Sequence, residues 1–169
     1  MDDTLVSGRR FGLTADTHDD LVDWPAILAG LRAAWGEVDA VLHCGDISTA
    51  AALESLAAIA PTYATRNDGD PPAEPPTLSD GPRLLSLGGM RVGLTFKLPE
   101  DARTAEGAAA LFGGPIAACL YGGTHEPRLD RAGGVLFVNP GSPSLAKRRT
   151  AAVLTIDSGR VSAEIVDIA

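Results

Sequence analysis

The stretch RFGLTADTHDD, residues 10–20, decides the fold. Arg10 to Ala15 form a short apolar run of strand length, and it stops at a polar turn, Asp16-Thr17-His18-Asp19-Asp20. A helical pattern follows. Asp23 suits its N-cap and Pro25 its first turn, Ile27, Leu28, Leu31 and Trp35 recur at helical spacing, and Gly36 ends it. The sequence then repeats the plan. Asp39 to His43 read as a second strand, closed by Cys44-Gly45-Asp46. Ser48 or Thr49 caps a helix that the pattern carries to Ala60, and Pro61 stops it. Thr62 to Thr65 read as a third strand, running into Arg66-Asn67. Strand–helix–strand–helix–strand at this length is the start of a parallel α/β sheet.

Beyond it, residues 68–82 hold five prolines and three aspartates and read as loop. Leu84–Leu87 and Met90–Thr95 flank Gly88-Gly89, a two-residue hairpin signal. Thr104 suits the cap of a short helix to Phe112. Ala118–Tyr121 and Val135–Val138 are further strands, ending in Gly122-Gly123-Thr124-His125 and Asn139-Pro140-Gly141-Ser142. Ala152–Ile156 and Val161–Ile165 flank Asp157-Ser158-Gly159-Arg160 as a terminal hairpin. The strand-rich second half predicts two sheets packed face to face with helices outside, in one domain over residues 1–169.

Composition narrows the function. With 45% hydrophobic residues the chain can bury a core. Its formal charge is −8, from 14 Lys and Arg against 22 Asp and Glu, which disfavours a broad nucleic-acid surface but not a cation site. No apolar run is long enough to span a membrane. Cys44 and Cys119 sit in apolar runs as small buried residues, and with an acidic N-terminus that lacks a signal-peptide core, the expected compartment is the cytoplasm. There are only three histidines, at 18, 43 and 125.

The polar clusters fall just after strands, where ligands bind in open α/β sheets. Asp16, His18, Asp46, Asn67 and His125 offer carboxylate, imidazole and amide donors suited to manganese, iron or zinc. Asp16-Thr17-His18, His43-Cys44-Gly45-Asp46, Arg66-Asn67, Gly122-Gly123-Thr124-His125 and Asn139-Pro140-Gly141-Ser142 follow the order of the calcineurin-like metallophosphoesterases. The chain most resembles their small bacterial and archaeal phosphodiesterase branch, over roughly residues 10–166. The resemblance implies a four-layer α-β-β-α sandwich of two mixed sheets with flanking helices. It also implies a pair of divalent ions roughly 3.5–4 Å apart that clamp an in-line attack on phosphorus. The first ion would take Asp16, His18, Asp46 and His125, with Asp46 bridging. The second would take Asp46, Asn67, the histidine of a Gly-His pair, and the first histidine of a Gly-His-Thr-His run.

The sequence departs from that pattern at the second ion. Gly123 stands where the run has its first histidine. After the strand ending at Thr95 the chain reads Phe96-Lys97-Leu98, and the best register puts Leu98 at the ligand position. Arg66 replaces the glycine before Asn67. One or two ions are therefore expected, manganese first, with iron, zinc, nickel or magnesium as the other divalent choices. Asp68, Asp70 and Glu100 are nearby oxygen donors, and Lys97 is a candidate to replace part of the second ion's charge beside Asp46. Arg66 and Lys97 are the candidate substrate-binding cations, and Asp46 and His18 the candidate catalytic residues. His43 reads as structural, and Lys147-Arg148-Arg149 as a solvated loop. The reading is a metal-dependent phosphoesterase hydrolysing a small phosphorylated substrate, a mono- or diester, with metal-activated water. The alternative is a degenerate member that binds a protein partner or a second copy of itself, for which the family has a precedent in a retromer subunit.

Overall fold

The computed structural model describes residues 3–169. Among the described residues, twelve strands form two six-stranded sheets. One sheet has the order β12-β11-β2-β3-β4-β5. Its strands are β2 (Arg10–Thr14), β3 (Ala40–His43), β4 (Thr62–Arg66), β5 (Leu78–Asp80), β11 (Thr150–Asp157) and β12 (Arg160–Asp167). Strands β2 to β5 run parallel, and β11 and β12 close the edge as an antiparallel hairpin. The other sheet has the order β1-β6-β7-β8-β10-β9. It comprises β1 (Asp3–Val6), β6 (Arg83–Leu87), β7 (Met90–Leu94), β8 (Ala118–Leu120), β9 (Pro127–Ala132) and β10 (Val135–Pro140), with parallel and antiparallel pairs mixed.

The layering follows from the two-residue period of a strand, which sends successive side chains to opposite faces. On β2, Phe11 and Leu13 enter the core between the sheets, while Gly12 lies outward beneath Trp35. On β10, Leu136 and Val138 point inward while Val135 and Phe137 point out. Helices α1 (Trp24–Trp35) and α2 (Ala50–Ala57) cover the outer face of the first sheet through Ile27, Leu31, Trp35 and Leu56. Helix α3 (Ala105–Phe112) covers the second through Ala108 and Phe112. The result is the four-layer α-β-β-α sandwich with two mixed sheets and flanking helices.

Most boundaries follow the sequence signals. Asp23 caps α1 by accepting the Ala26 N–H, Thr49 caps α2 and Thr104 caps α3. Four elements depart from expectation. The span 68–82 is not wholly loop, because Leu78–Asp80 pairs in parallel with β4 and Leu78 is buried. Strands β1 and β9 were not expected. Both are edge strands, and β9 buries none of its six residues fully, so its reason to be a strand is the backbone ladder with β10. Helix α2 ends at Ala57, and Ile59 and Ala60 close the turn onto the Leu56 carbonyl.

Among the described residues no helix is long and apolar enough to cross a membrane. The parallel registers align Thr14 with His43 and His43 with Ala64, and likewise Leu94 and Val138 with Leu120. The loops after β2, β3 and β4 therefore leave one rim of the first sheet, and those after β7, β8 and β10 leave one rim of the second.

Candidate metal centre

The two rims meet at glycines. A Cβ on Gly122 would lie 2.7 Å from the Ala15 Cβ and 3.4 Å from an Asp16 carboxylate oxygen, so only glycine lets the loop after β8 reach the loop after β2. The contact brings Asp16, His18, Asp46 and His125 together, with one ligand atom of each within 4.8 Å of the others. His18 Nε2 lies 3.4 Å from His125 Nε2 and 3.4 Å from an Asp46 carboxylate oxygen. His125 Nε2 is 3.7 Å from Asp16 Oδ1.

All four residues adopt left-handed backbone, with φ of 52° at Asp16, 43° at His18, 58° at Asp46 and 60° at His125. Such a conformation costs a non-glycine residue about 1 kcal/mol or more. The cost is met by the hydrogen bonds that fix each turn. Asp16 N donates to the Gly45 carbonyl at 2.9 Å, and His18 N to the Asp46 carbonyl at 3.2 Å. Ser142 Oγ donates to the Asp16 carbonyl at 2.8 Å, and Ser144 Oγ to the Thr17 carbonyl at 2.7 Å. The turn Asn139–Ser142 thus braces the first polar turn from the opposite sheet.

The electrostatics fit a cation. Asp16 is fully buried; its Oδ2 accepts the Gly123 N–H at 2.9 Å, while its Oδ1 has no hydrogen-bond partner. Burial pushes the Asp16 pKa up to about 6, against the Gly123 N–H and His125, which pull it down. A buried carboxylate oxygen without a donor is costly, and a divalent ion between it and the two imidazoles would satisfy it. His125 Nδ1 donates to the Leu145 carbonyl at 2.9 Å, which leaves Nε2 as a lone-pair donor toward the cluster. Two imidazoles and two carboxylates are donors that manganese, iron and zinc all accept.

The residues expected at a second ion are arranged differently. Asn67 Nδ2 donates to Asp46 Oδ1 at 2.6 Å. Leu98 is turned into the apolar cluster beneath α3, not toward the rim. Phe96 takes the rim position instead: its ring packs on Gly45, where a Cβ would come within 2.7 Å, and its edge is 3.6 Å from the Cβ position of Gly123. Lys97 is exposed, with its ammonium 5.5 Å from the centre of the Phe96 ring, so Asp46 has an amide and an imidazole as neighbours where a lysine was expected. The Arg66 guanidinium is committed to the loop that follows it, bonding the Asp70 and Pro71 carbonyls and, at 3.0 Å, Asp80.

Asp70 is the residue whose role the sequence least revealed. It is no stand-in ligand. Its carboxylate accepts four backbone N–H groups, from Asp46 at 3.0 Å, Ile47 at 2.8 Å, Ser48 at 3.1 Å and Asn67 at 2.9 Å. It ties the turns after β3 and β4 together. Asp68 and Glu100 face solvent. His43 is fully buried and structural: Nδ1 accepts the Gly45 N–H at 3.0 Å, and Nε2 meets the Thr17 hydroxyl at 3.0 Å. Burial pushes its pKa down to about 4, so it is neutral at physiological pH.

Comparison with solved structures places this fold among known ones. An archaeal phosphodiesterase superposes with a TM-score of 0.69 at 20% identity, covering 92% of this chain and 99% of its own. Vacuolar Protein Sorting 29 (Vps29) of Cryptosporidium parvum does so with a TM-score of 0.72 at 17% identity, covering 96% and 98%. A conserved Streptococcus pneumoniae protein described as a predicted phosphoesterase gives 0.63 at 21% identity, covering 93% and 97%. At these identities the likeness is one of fold. Sequence comparison with curated proteins finds no match. Residues 10–159 match the calcineurin-like phosphoesterase superfamily domain, and that span contains every member of the cluster. The chain belongs to the calcineurin-like phosphoesterase superfamily.

Proposed function

We propose that the chain is a metal-dependent phosphoesterase built around one tight divalent ion. Asp16, His18, Asp46 and His125 would hold it. The unpartnered buried Oδ1 of Asp16, aimed at two imidazoles, carries this reading. An ion there supplies Lewis acidity, which polarises a phosphoryl oxygen and acidifies water.

The residues divide the remaining work. Asp16 is enclosed, whereas the side chains of His18, Asp46 and His125 are 20%, 21% and 30% exposed, so substrate approaches from their side. Asn67 fixes the Asp46 carboxylate by donating to one oxygen and leaves the other beside His18. The Leu145 carbonyl sets the His125 tautomer. Manganese is the ion we favour, since mixed carboxylate and imidazole donors suit it. The substrate is a small phosphoester, and the archaeal phosphodiesterase neighbour supports the diester class. A cytoplasmic enzyme fits the two reduced, buried cysteines.

A second reading, a protein-binding member without catalysis, is favoured by Phe96 at the rim and by the Vps29 neighbours. Hydrolysis of bis(p-nitrophenyl) phosphate with Mn²⁺, run beside Asp46→Asn, separates the two. Turnover by the unaltered chain that is lost in the variant supports the enzyme. No turnover in either, with an ion bound, sinks the enzyme reading for that substrate class.

A further inference from the structure

A cavity of about 420 Å³ adjoins the cluster, walled by Lys97, Leu98, Arg103, Tyr121, Gly123 and Thr124 among others. Its floor is shared with the metal centre. The Gly123 N–H binds Asp16, and His125 follows Thr124 directly. A smaller cavity of about 170 Å³ continues from it past Arg103, Tyr121 and Thr124. Glycine at 123 keeps the floor open, because a Cβ there would lie 3.3 Å from the Lys97 stem.

The chemistry of this wall is unlike that of the rest of the chain. Acids outnumber bases 22 to 14 overall, yet the charged residues lining the larger cavity are Lys97 and Arg103. The Arg103 guanidinium stacks 5.5 Å over the Tyr121 ring, and its nearest acid is Glu100, at 3.8 Å with a side chain 92% exposed. Two buried polar atoms in the wall have no partner, Arg103 Nε and the Tyr121 hydroxyl. Burial holds the Tyr121 phenol above its usual pKa, so it remains a proton donor near neutrality. The smaller cavity carries Arg128, engaged by Asp130, and Glu126.

We propose that this cavity is an oxyanion subsite, in which Arg103, Tyr121 and Lys97 receive a second anionic group of the substrate, a carboxylate or phosphate remote from the phosphorus attacked. The proposal rests on the phosphoesterase reading and narrows its substrates to phosphoesters that carry another anion. The guanidinium supplies the charge-assisted bond, the phenol a second donor, and the ammonium the long-range attraction.

The test is calorimetric binding of three ligands: 4-carboxyphenyl phosphate, its carboxyl methyl ester, in which the phosphate is the sole anionic group, and benzene-1,4-diyl bisphosphate. The chain loaded with Mn²⁺ should bind at least one of the ligands with two anionic groups about tenfold more tightly than the ester. The preference should fall to about one in Arg103→Met, which keeps the stem over Tyr121, and by about threefold in the exposed Lys97→Gln. Equal affinities in the unaltered chain, or a preference that survives in both variants, would overturn the proposal. The comparison of carboxylate and bisphosphate identifies which oxyanion is received. Failure of the metal reading shows separately, as no Mn²⁺ uptake. The same preference, measured on the metal-free chain, still tests the subsite.

Discussion

The two halves of the rim start from the same residue and end differently. On one side of Asp46, four donors converge on a point and one buried carboxylate oxygen lacks a partner. On the other, Asn67 is hydrogen-bonded to Asp46 itself, Phe96 packs on Gly45, and Gly123 offers no side chain. The first half is strained and polar, with left-handed backbone at every donor. The second is relaxed and partly apolar. Strain of this kind persists only where surrounding bonds over-determine it, and here Asp70, Ser142 and Ser144 supply those bonds. One half thus gathers donors that could hold an ion, and the other has been filled.

The largest effect expected is at the shared residue. Asp46→Asn keeps the shape but halves the charge that two donors present, and turnover of a generic phosphodiester with Mn²⁺ should fall by about 10³-fold or more. Next is the brace. Asp70→Ala leaves four backbone N–H groups without their acceptor and should destabilise the fold by about 3 kcal/mol, read as a drop of roughly 6–12 °C in Tm. It should also weaken ion binding, although Asp70 touches no ion.

A pH dependence of similar size distinguishes the buried groups of the first half. Above pH 6.5 His43 is neutral both folded and unfolded and contributes no slope. As pH falls from 6.5 toward about 4, the unfolded chain takes a proton that the folded chain refuses, so stability drops, by about 3 kcal/mol in full. Asp16 acts in the opposite sense in the metal-free chain. Its folded pKa of about 6 means that acid between pH 6 and 4 relieves a buried charge. Denaturant titration of metal-free Asp16→Asn should therefore lose stability more steeply on acidification than the unaltered chain, and the His43 imidazole should stay neutral by NMR down to about pH 4. A smaller effect, but the most pointed one, is reconstruction. Phe96→His with Gly123→His gives the filled half two imidazoles, and metal content should rise from one ion per chain toward two.

How much of this was legible in the sequence depended on distance along the chain. Strands followed at once by polar turns gave Asp16, His18, Asp46, Asn67 and His125 their places at the rim, because strand length and turn chemistry are local. The scarcity of histidine already showed that one half could not be completed with imidazole. Other features depended on partners far along the chain. β9 is exposed along its length and exists through its pairing with β10; β5 lies in a proline-rich span and exists through β4. Asp70 reads as one acid among 22 until its loop folds back over the turn after β3. Leu98 and Phe96 exchange places because no strand periodicity survives past β7, so the choice of which side chain faces the rim is made by packing.

The central claim is that one half of the rim binds an ion tightly and the other does not. Anomalous diffraction from a crystal soaked in Mn²⁺ tests it most directly. The account predicts one strong peak per chain, bounded by Asp16, His18, Asp46 and His125, with Phe96 still seated on Gly45. Two peaks of equal height, or none at saturating Mn²⁺, would contradict it.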